Sequence, residues 1–195
     1  DGDGDMDLFA GSRSNSLDYG PSPRSFLLAN DGQGKFRDVT EEQAPALLNF
    51  GMITGAQLFR LNKDAQRSLV LVGEWMAPTI FSWDGKQLTE QKTSLGSLNG
   101  WWQTVAAGDL DGDGDDDLVL GNLGQNFYLH PDTASPLRLW IKDFDNNGTK
   151  EKIITQTLGG RDMPVFLKRE LTEQVLSIKK QNLRYEDYGN KSIQD

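Results

Sequence analysis

The stretch DLDGDGDDD at residues 109–117 leads directly into the apolar triplet LVL at 118–120. Carboxylates occupy its alternate positions, so several oxygens can converge on one point; these residues are Asp109, Asp111, Asp113, Asp115 and Asp117. Charges of one sign crowded in this way repel one another unless a cation lies among them. Oxygen donors without histidine or cysteine select Ca²⁺, and Gly114 at the sixth position lets the chain turn around the ion. We therefore predict a calcium site in this loop.

The same spacing recurs at residues 143–151, which have the sequence DFDNNGTKE with Gly148 again at the sixth position. Oxygen donors occupy the ligand positions, namely Asp143, Asp145, Asn147, Thr149 and Glu151. At the seventh position, filled by Thr149 here and by Asp115 in the preceding loop, the usual ligand is a backbone carbonyl. We therefore expect a second complete calcium site here, and we expect the Asp115 side chain to face water.

The chain opens on a shortened copy of this loop, DGDGDMD at residues 1–7. Its acidic residues fall at positions three, five, seven and nine, and they are Asp1, Asp3, Asp5 and Asp7. Position one would precede residue 1, so we expect the chain to be part of a longer protein, cut within a metal loop. The sequence thus predicts two complete calcium sites and one truncated site, with the Asp5 side chain facing water.

An EF-hand is the main alternative for these loops. An EF-hand loop has a bidentate glutamate at position twelve and lies between two helices. Position twelve here is Leu120 in one loop and Ile154 in the other, and neither side chain can bind metal. The segments LVLG and LFAG that follow position nine are short apolar runs typical of strands. The loops are therefore predicted to precede strands.

The composition excludes several classes of partner. The chain has 195 residues, a formal net charge of −9 and no basic stripe, so we expect no nucleic-acid partner. No apolar stretch approaches the roughly 18 residues of a membrane span, so we expect no such span. The absence of cysteine rules out disulfides, and the oligomeric state stays open.

Internal repetition extends beyond the acidic loops. A shift of 49 residues places residues 51–71 on residues 100–120, including the apolar triplet at the end of each segment. Residues 60–68, RLNKDAQRS, are then a degenerate copy of the acidic loop, with Arg60 and Ser68 in place of its terminal carboxylates. We expect no calcium there. A cationic side chain is expected to replace the ion by pairing with Asp64, and the candidates are Arg60, Lys63 and Arg67.

Strand and turn signals follow the loops in a constant order. Residues 26–30 and 79–83 each precede an Asp-Gly turn and a further strand-like run, which predicts two hairpins. Four short strands per unit of about 40 to 60 residues is the pattern of a β-propeller blade. We therefore predict an all-β fold, a partial β-propeller of about three to four four-stranded antiparallel blades over residues 1–160. Residues 161–195 are predicted as a helical or irregular extension toward a missing part of the propeller, with one helix face formed by Leu167, Leu171, Val175 and Ile178.

Tryptophan is abundant for a chain of this length, and the five residues are Trp75, Trp83, Trp101, Trp102 and Trp140. Aromatic platforms bind sugars, but large rings also fill the space between blades. Adjacent residues on a strand point to opposite faces, so at least one of Trp101 and Trp102 is expected to pack inside. Packing is the expected role of most of them, and Trp83, beside an Asp-Gly turn, is the one expected to be exposed.

The acidic loops that lead into LFAG and LVLG resemble the FG-GAP or VCBS repeats of integrin-type β-propellers. The segments GEWM (73–76), GWW (100–102) and KDFDNNG (142–148), with the tail from RDMP to YEDY, resemble one subgroup, the bacterial ASPIC/UnbV-like proteins. The resemblance implies a calcium-stabilised propeller in a secreted or outer-membrane-anchored protein. Two departures from the pattern are the unit without metal ligands and the absent first Asp of the opening loop.

We expect a non-catalytic, extracytoplasmic module that binds protein or glycan partners in adhesion or recognition. A propeller-type polysaccharide lyase is one alternative, and it would need a base such as Tyr128 or His130 beside a calcium ion that contacts the substrate. His130, the single histidine, is instead expected to be a surface loop residue, and no Ser–His–Asp order or GxSxG elbow is present. A structural spacer of an envelope protein is the second alternative.

Overall fold

Short β-strands make up most of the regular structure in residues 3–16, 18–63 and 66–195, the part of the chain that the computed structural model describes. The chain divides into two units, Asp1–Gly124 and Gln125–Asp195. The first contains β1 (Leu8–Ala10), β2 (Phe26–Asn30), β3 (Phe36–Asp38), α1 (Thr40–Gln43), β4 (Met52–Phe59), β5 (Ser68–Met76), β6 (Thr79–Trp83), β7 (Leu88–Gln91), β8 (Gly100–Gly108) and β9 (Asp117–Asn122). The second contains β10 (Leu137–Lys142), β11 (Glu151–Leu158), β12 (Arg161–Pro164), α2 (Lys168–Gln174), α3 (Leu176–Gln181) and α4 (Tyr185–Gly189). The predicted predominance of β-structure is confirmed.

Strands β4 to β7 pair antiparallel in sequence order, the arrangement expected of one blade. Pairing of β8 with the end of β5 adds β8 and β9, so the whole sheet has six strands. At its centre, β5 has the sequence SLVLVGEWM and pairs with β4 on one side and β6 on the other. An unbroken apolar run of this kind suits a strand that is buried on both faces. Truncation of the fully buried Leu71 to alanine would cost about 2–5 kcal/mol.

The two faces of this sheet pack against different neighbours. On one face Leu71 belongs to a buried cluster, and Phe9 of β1 and Leu27 of β2 pack against that cluster. On the other face Val70 belongs to a second cluster, against which Val105 of β8 and Leu118 of β9 pack. Packing of other strands against both faces of β4–β7 is expected of neighbouring blades, and β8 is joined to β5 by strand pairing at one end as well.

Two tight hairpins lie where the Asp-Gly turns predict them. Strand β2 pairs with β3, and β6 pairs with β7, both antiparallel. The Asp31 carboxylate accepts the backbone N–H groups of residues 33 and 35, and the Asp84 carboxylate accepts those of residues 86 and 87. Gly32 and Gly85 follow with φ of +70° and +96°, a region that glycine adopts without strain. The two predicted hairpins are confirmed.

The second unit has one three-stranded antiparallel sheet, β10–β11–β12, followed by the short helices. The single helix predicted from the spacing of Leu167 to Ile178 is instead two helices, because Val175 is extended with φ of −121° and ψ of 93°. Leu171 and Val175 are buried, whereas Leu167 precedes the helix and is 64% exposed. The predicted helical face therefore holds only in its middle.

The number of strands per sheet varies among the described residues. Strands β4–β9 form one sheet of six, in which β4–β7 supply the four strands of a repeat, whereas β1–β3 and β10–β12 each form sheets of three. Strand β12 lies within the segment predicted as a helical or irregular extension, and the predicted division at residue 160 stays a prediction. Within the described segments, no helix has the length and apolar character needed to cross a bilayer.

Candidate metal centres

The acidic loops connect equivalent pairs of strands. Loop 109–117 joins β8 to β9, loop 143–151 joins β10 to β11, and each pair of strands is antiparallel. The degenerate loop 60–68 joins β4 to β5 in the same way. Position nine is the first residue of the second strand, and it lies opposite the residue before position one, as Asp117 lies opposite Gly108. Strand pairing therefore brings the two ends of each loop together.

Three carboxylates converge in loop 109–117. One oxygen from each of Asp109, Asp111 and Asp117 lies within 4.8 Å of the other two. The Asp109 carboxylate accepts the backbone N–H of Gly112 at 2.7 Å and of Gly114 at 3.1 Å. Gly114 has φ of +95°, where a residue with a side chain would be strained. Asp109 and Asp111 are exposed, so a cation can reach this site directly from solvent.

A second group of three carboxylates converges in loop 143–151. Oxygens of Asp143, Asp145 and Glu151 lie within 4.8 Å of one another, and Glu151 is only 5% exposed. The Asp143 carboxylate accepts the backbone N–H groups of Asn147 at 3.0 Å and Gly148 at 2.9 Å. Because its position-nine ligand is buried, this site is less open to water than loop 109–117.

Hydrogen bonds repeat between the two loops, position by position. The position-nine carboxylate accepts the N–H of position two, at 3.0 Å from Leu110 and at 2.7 Å from Phe144. The side-chain oxygen at position five accepts the N–H of position seven in both loops, at 3.1 Å and 2.7 Å. The loops differ in sequence between these positions, so the spacing of the oxygen-bearing residues decides their conformation.

Both groups of three have the donor chemistry of a site for a hard cation. Their converging ligand atoms are carboxylate oxygens, which suit divalent ions such as Ca²⁺ and Mg²⁺ rather than soft metals. In loop 109–117 the pKa of the Asp115 carboxyl is raised, first by desolvation and then by neighbouring carboxylates, Asp113 foremost. A bound cation would offset this crowding of negative charge. The residues present therefore fit a metal ion in each loop.

Predicted ligands at positions five and seven lie outside the converging groups of three. The side chains of Asp113 and Asn147 accept backbone hydrogen bonds across the turn, so they hold the loops in shape. Asp115 and Thr149 at position seven donate those hydrogen bonds through their backbone N–H groups. The Asp115 residue is half-buried rather than facing water as expected, which accounts for its desolvation.

Part of the opening loop lies outside the described residues, and that part includes Asp1. The roles predicted for Asp1, Asp3, Asp5 and Asp7 as ligands stay predictions. The Asp7 carboxylate accepts the N–H of Asn30 at 3.0 Å, while Asp5 accepts a backbone hydrogen bond from Gly32. One Asp5 oxygen is buried with no hydrogen-bond partner among the described residues, so the expectation that this side chain faces water is wrong. The β2–β3 turn at Gly32 lies against it.

The degenerate loop contacts the acidic loop of the next repeat. The backbone N–H of Arg60 donates to the Asp116 carboxylate at 2.7 Å, and the N–H of Asp116 donates to the Arg60 carbonyl at 3.0 Å. The Arg60 guanidinium lies 3.8 Å from the same carboxylate. Asp64 lies outside the described residues, so its predicted pairing stays a prediction. We name the Arg60–Asp116 contact the loop clasp.

The loop clasp was not found from the sequence. Asp116 is the one carboxylate of the loop that falls off the alternating pattern, and that irregularity was its only signal. Its side chain is 17% exposed, in keeping with a role in packing between loops.

The tryptophans and the two candidate bases, Tyr128 and His130, differ in their exposure to solvent. All five tryptophans are half-buried. Trp83, which was expected to be exposed, is therefore in the same burial class as the other four. Tyr128 is 72% exposed. His130 is exposed outside the strands and helices, as expected of a surface loop residue.

Comparison with known families gives one match, which covers the repeat containing the loop clasp. Residues 60–120 match the family model of the FG-GAP-like repeat. The match begins in the degenerate loop and ends in β9 after the acidic loop, so it spans one full period of the structural repeat. This similarity supports the FG-GAP family and agrees with the stacked antiparallel sheets. No curated protein matches the chain.

Proposed function

We propose that this chain is a calcium-stabilised, non-catalytic module of β-propeller type that recognises protein or glycan partners outside the cytoplasm. The observation that carries the proposal is the equivalence of loops 109–117 and 143–151. In each loop, three carboxylates converge at the same connection between paired strands. A repeated structural cation site of this kind favours a scaffold over an enzyme.

Calcium is the proposed ion because flexible, oxygen-rich loops suit its variable coordination, whereas Mg²⁺ demands a stricter octahedron and retains its waters. Extracellular calcium modules bind with dissociation constants of about 10⁻⁴–10⁻³ M, which match the calcium available outside cells. Metal bound to the folded state alone adds directly to stability. Calcium would thus hold each acidic loop against the strand that follows it.

The recognition role and the extracytoplasmic location rest on similarity. The FG-GAP-like match supports a propeller-type module, and the GEWM, GWW and KDFDNNG segments resemble the bacterial ASPIC/UnbV-like proteins. A fold can serve many functions, so the role needs a direct test. We propose that the full protein is secreted or anchored at the outer membrane and uses this module for adhesion.

Two measurements test this proposal. Isothermal titration of the metal-stripped chain with Ca²⁺ is expected to give two sites, with weaker binding of Mg²⁺. Glycan and extracellular-protein arrays probed with the chain, in calcium and in EGTA, are expected to show calcium-dependent binding to at least one partner. Absence of calcium binding overturns the structural role of the ion, and absence of any partner overturns the recognition role in favour of a spacer.

A further inference from the structure

A polar and aromatic cluster lies at the end of β5 that is remote from loop 60–68. Strand β5 begins at the last residue of loop 60–68 and is nine residues long, a length of about 30 Å. At that far end, side chains from the β1–β2 connection, β5 and β8 meet. They are Arg13, Tyr19, Glu74, Trp75 and Trp101, and we call them the aromatic cluster.

A buried carboxylate organises the aromatic cluster. Glu74 is 7% exposed, and one oxygen accepts the Arg13 guanidinium at 2.6 Å while the other accepts the Tyr19 hydroxyl at 2.7 Å. The Tyr19 oxygen in turn accepts the Trp75 indole N–H at 3.0 Å. A buried charge is tolerated only when it is paired and hydrogen-bonded. The network therefore fixes the orientation of both aromatic side chains.

Two tryptophans meet edge to face in this cluster. The rings of Trp75 and Trp101 are 4.9 Å apart between centroids with an interplanar angle of 79°, a favoured aromatic geometry. Both residues are half-buried, and Tyr19 is 40% exposed. Parts of these rings therefore remain open to a ligand.

The backbone at Trp75 is strained. Its φ is +59°, at an irregularity in the pairing of β5 with β8 between Glu74 and Met76. Bulky residues rarely adopt this conformation, whereas glycine does so readily. Strained residues held by surrounding structure concentrate at ligand-binding sites. Glycine would serve the fold better at this position, so the indole ring itself needs an explanation.

We propose that the aromatic cluster is a binding site for a neutral pyranose glycan. Aromatic surfaces accept the apolar face of a sugar ring, while a few fixed polar groups beside them select its hydroxyls. The Arg13 side chain, 59% exposed, and the Tyr19 hydroxyl supply those polar groups. The Arg13–Glu74 pair is neutral, and the chain carries a net charge of −9, which disfavours polyanionic ligands. This inference rests on the proposed recognition function and assigns it a site.

A glycan array of neutral oligosaccharides, with uronate-containing oligosaccharides as a separate arm, provides the test. The neutral glycan with the highest signal is then titrated against the wild type and three variants. Trp75→Gly is expected to weaken binding at least tenfold, because it removes the ring while glycine tolerates the backbone conformation, and its melting temperature checks that it folds. Tyr19→Phe is expected to weaken binding several-fold. The matched control is Trp83→Ala, which alters a half-buried tryptophan at the end of β6, next to Ser82, whose hydroxyl contacts Ser68 of loop 60–68.

Each result decides the inference. Equal affinity of Trp75→Gly and wild type overturns the site, and so does equal affinity of Tyr19→Phe if Trp75→Gly fails to fold. Binding confined to uronate-containing glycans overturns the assignment to neutral sugars. Failure to bind any glycan, alongside a calcium-dependent protein partner, overturns the site but leaves the proposed recognition function. Failure to bind any partner overturns both.

Discussion

The loops at residues 60–68 and 109–117 occupy equivalent places, since each connects the first two strands of a repeat. Loop 109–117 gathers three carboxylates suited to a cation. Loop 60–68 has lost the terminal carboxylates, and its first residue, Arg60, hydrogen-bonds to Asp116 of the other loop. We infer from this difference that each loop is restrained in its own way, loop 60–68 by the neighbouring loop and loop 109–117 by the proposed cation.

The loop clasp also couples the two loops. Because Asp116 lies between position seven and the position-nine ligand Asp117, the clasp holds the acidic loop on the side of its converging oxygens. Loop 143–151 is the natural reference, since its geometry is equivalent and a buried Glu151 completes its site. The predictions below separate the contribution of the ion from that of the clasp.

Removal of calcium is expected to have the largest effect. At a calcium concentration one hundred times the dissociation constant, each site would add about 2.7 kcal/mol to the free energy of unfolding. Urea denaturation in calcium and in EGTA measures the loss. The double variant Asp109→Asn/Asp143→Asn is the control, because its stability should hardly respond to calcium. Equal stability of the wild type in both buffers would contradict a structural role for the ion.

Loss of the position-nine charge is expected to affect the two sites unequally. Glu151→Gln and Asp117→Asn both retain an oxygen that can accept the position-two N–H, so they test the charge alone. Calcium affinity should fall at least tenfold, about 1.4 kcal/mol, in Glu151→Gln, and less in Asp117→Asn, because the buried Glu151 is less screened by water. Calorimetric titration of both variants measures the affinities.

In the metal-free state the sign of this effect should reverse. Three converging carboxylates repel one another, so Glu151→Gln is expected to be more stable than the wild type in EGTA and less stable in saturating calcium. A variant that is less stable in both buffers would show that Glu151 stabilises β11 without help from a cation.

Strand and turn positions were predictable from local residue chemistry. Strand-like runs before the Asp-Gly pairs predicted the two hairpins, whose first strands end at Asn30 and Trp83. Alternating carboxylates predicted that loops 109–117 and 143–151 bring side-chain oxygens together, because their spacing along the chain determines how each loop turns. These features depend on neighbours in sequence, and sequence therefore carries them.

Contacts between distant segments were not predictable in the same way. The loop clasp joins residues 60 and 116, and the aromatic cluster joins Arg13 of the β1–β2 connection to Glu74 of β5. Neither contact follows from a periodic pattern in the sequence. The one hint is Glu74, a charged residue near the end of an otherwise apolar strand. The break between α2 and α3 at Val175 was also not predictable, because apolar residues spaced like one helix face can belong to two successive helices.

Disruption of the loop clasp is expected to have a moderate effect. Asp116→Ala leaves the backbone N–H of Arg60 without its acceptor, at a cost of about 1 kcal/mol in the free energy of unfolding. Arg60→Ala removes only a partly exposed ion pair and should cost about 0.5 kcal/mol or less. Urea denaturation measures both. Calcium affinity of loop 109–117 should fall several-fold in Asp116→Ala, while loop 143–151 is unchanged.

An equal effect of Arg60→Ala and Asp116→Ala would contradict this description, since it would make the guanidinium, rather than the backbone hydrogen bonds, the main element of the clasp. Unchanged calcium affinity in Asp116→Ala would show that the ion alone restrains its loop.

The smallest expected effect is a dependence of stability on pH that changes sign with metal. The pKa values of Asp5 and Asp115 are raised above 3.8, first by desolvation and then by nearby carboxylates. A raised pKa means that the folded state binds the proton more tightly than the unfolded chain, so the metal-free protein should gain stability as pH falls from 7 toward 5. Other carboxyls, such as Asp38, have lowered pKa values. They reduce stability only when the pH falls below about 3.8, so they do not oppose the gain expected between pH 7 and 5.

With calcium bound, the same fall in pH should reduce stability, because protons compete with the ion for the carboxylates. Melting temperatures of metal-stripped and calcium-loaded protein across this range measure the two slopes. The Asp5→Asn/Asp115→Asn variant should flatten the slope of the stripped protein, since it removes the two carboxyls that take up protons. A stripped wild type that loses stability steadily between pH 7 and 5 would contradict the prediction. Repulsion among the carboxylates would then be too weak to need a cation, and the contrast between the acidic loops and loop 60–68 would rest on the clasp alone.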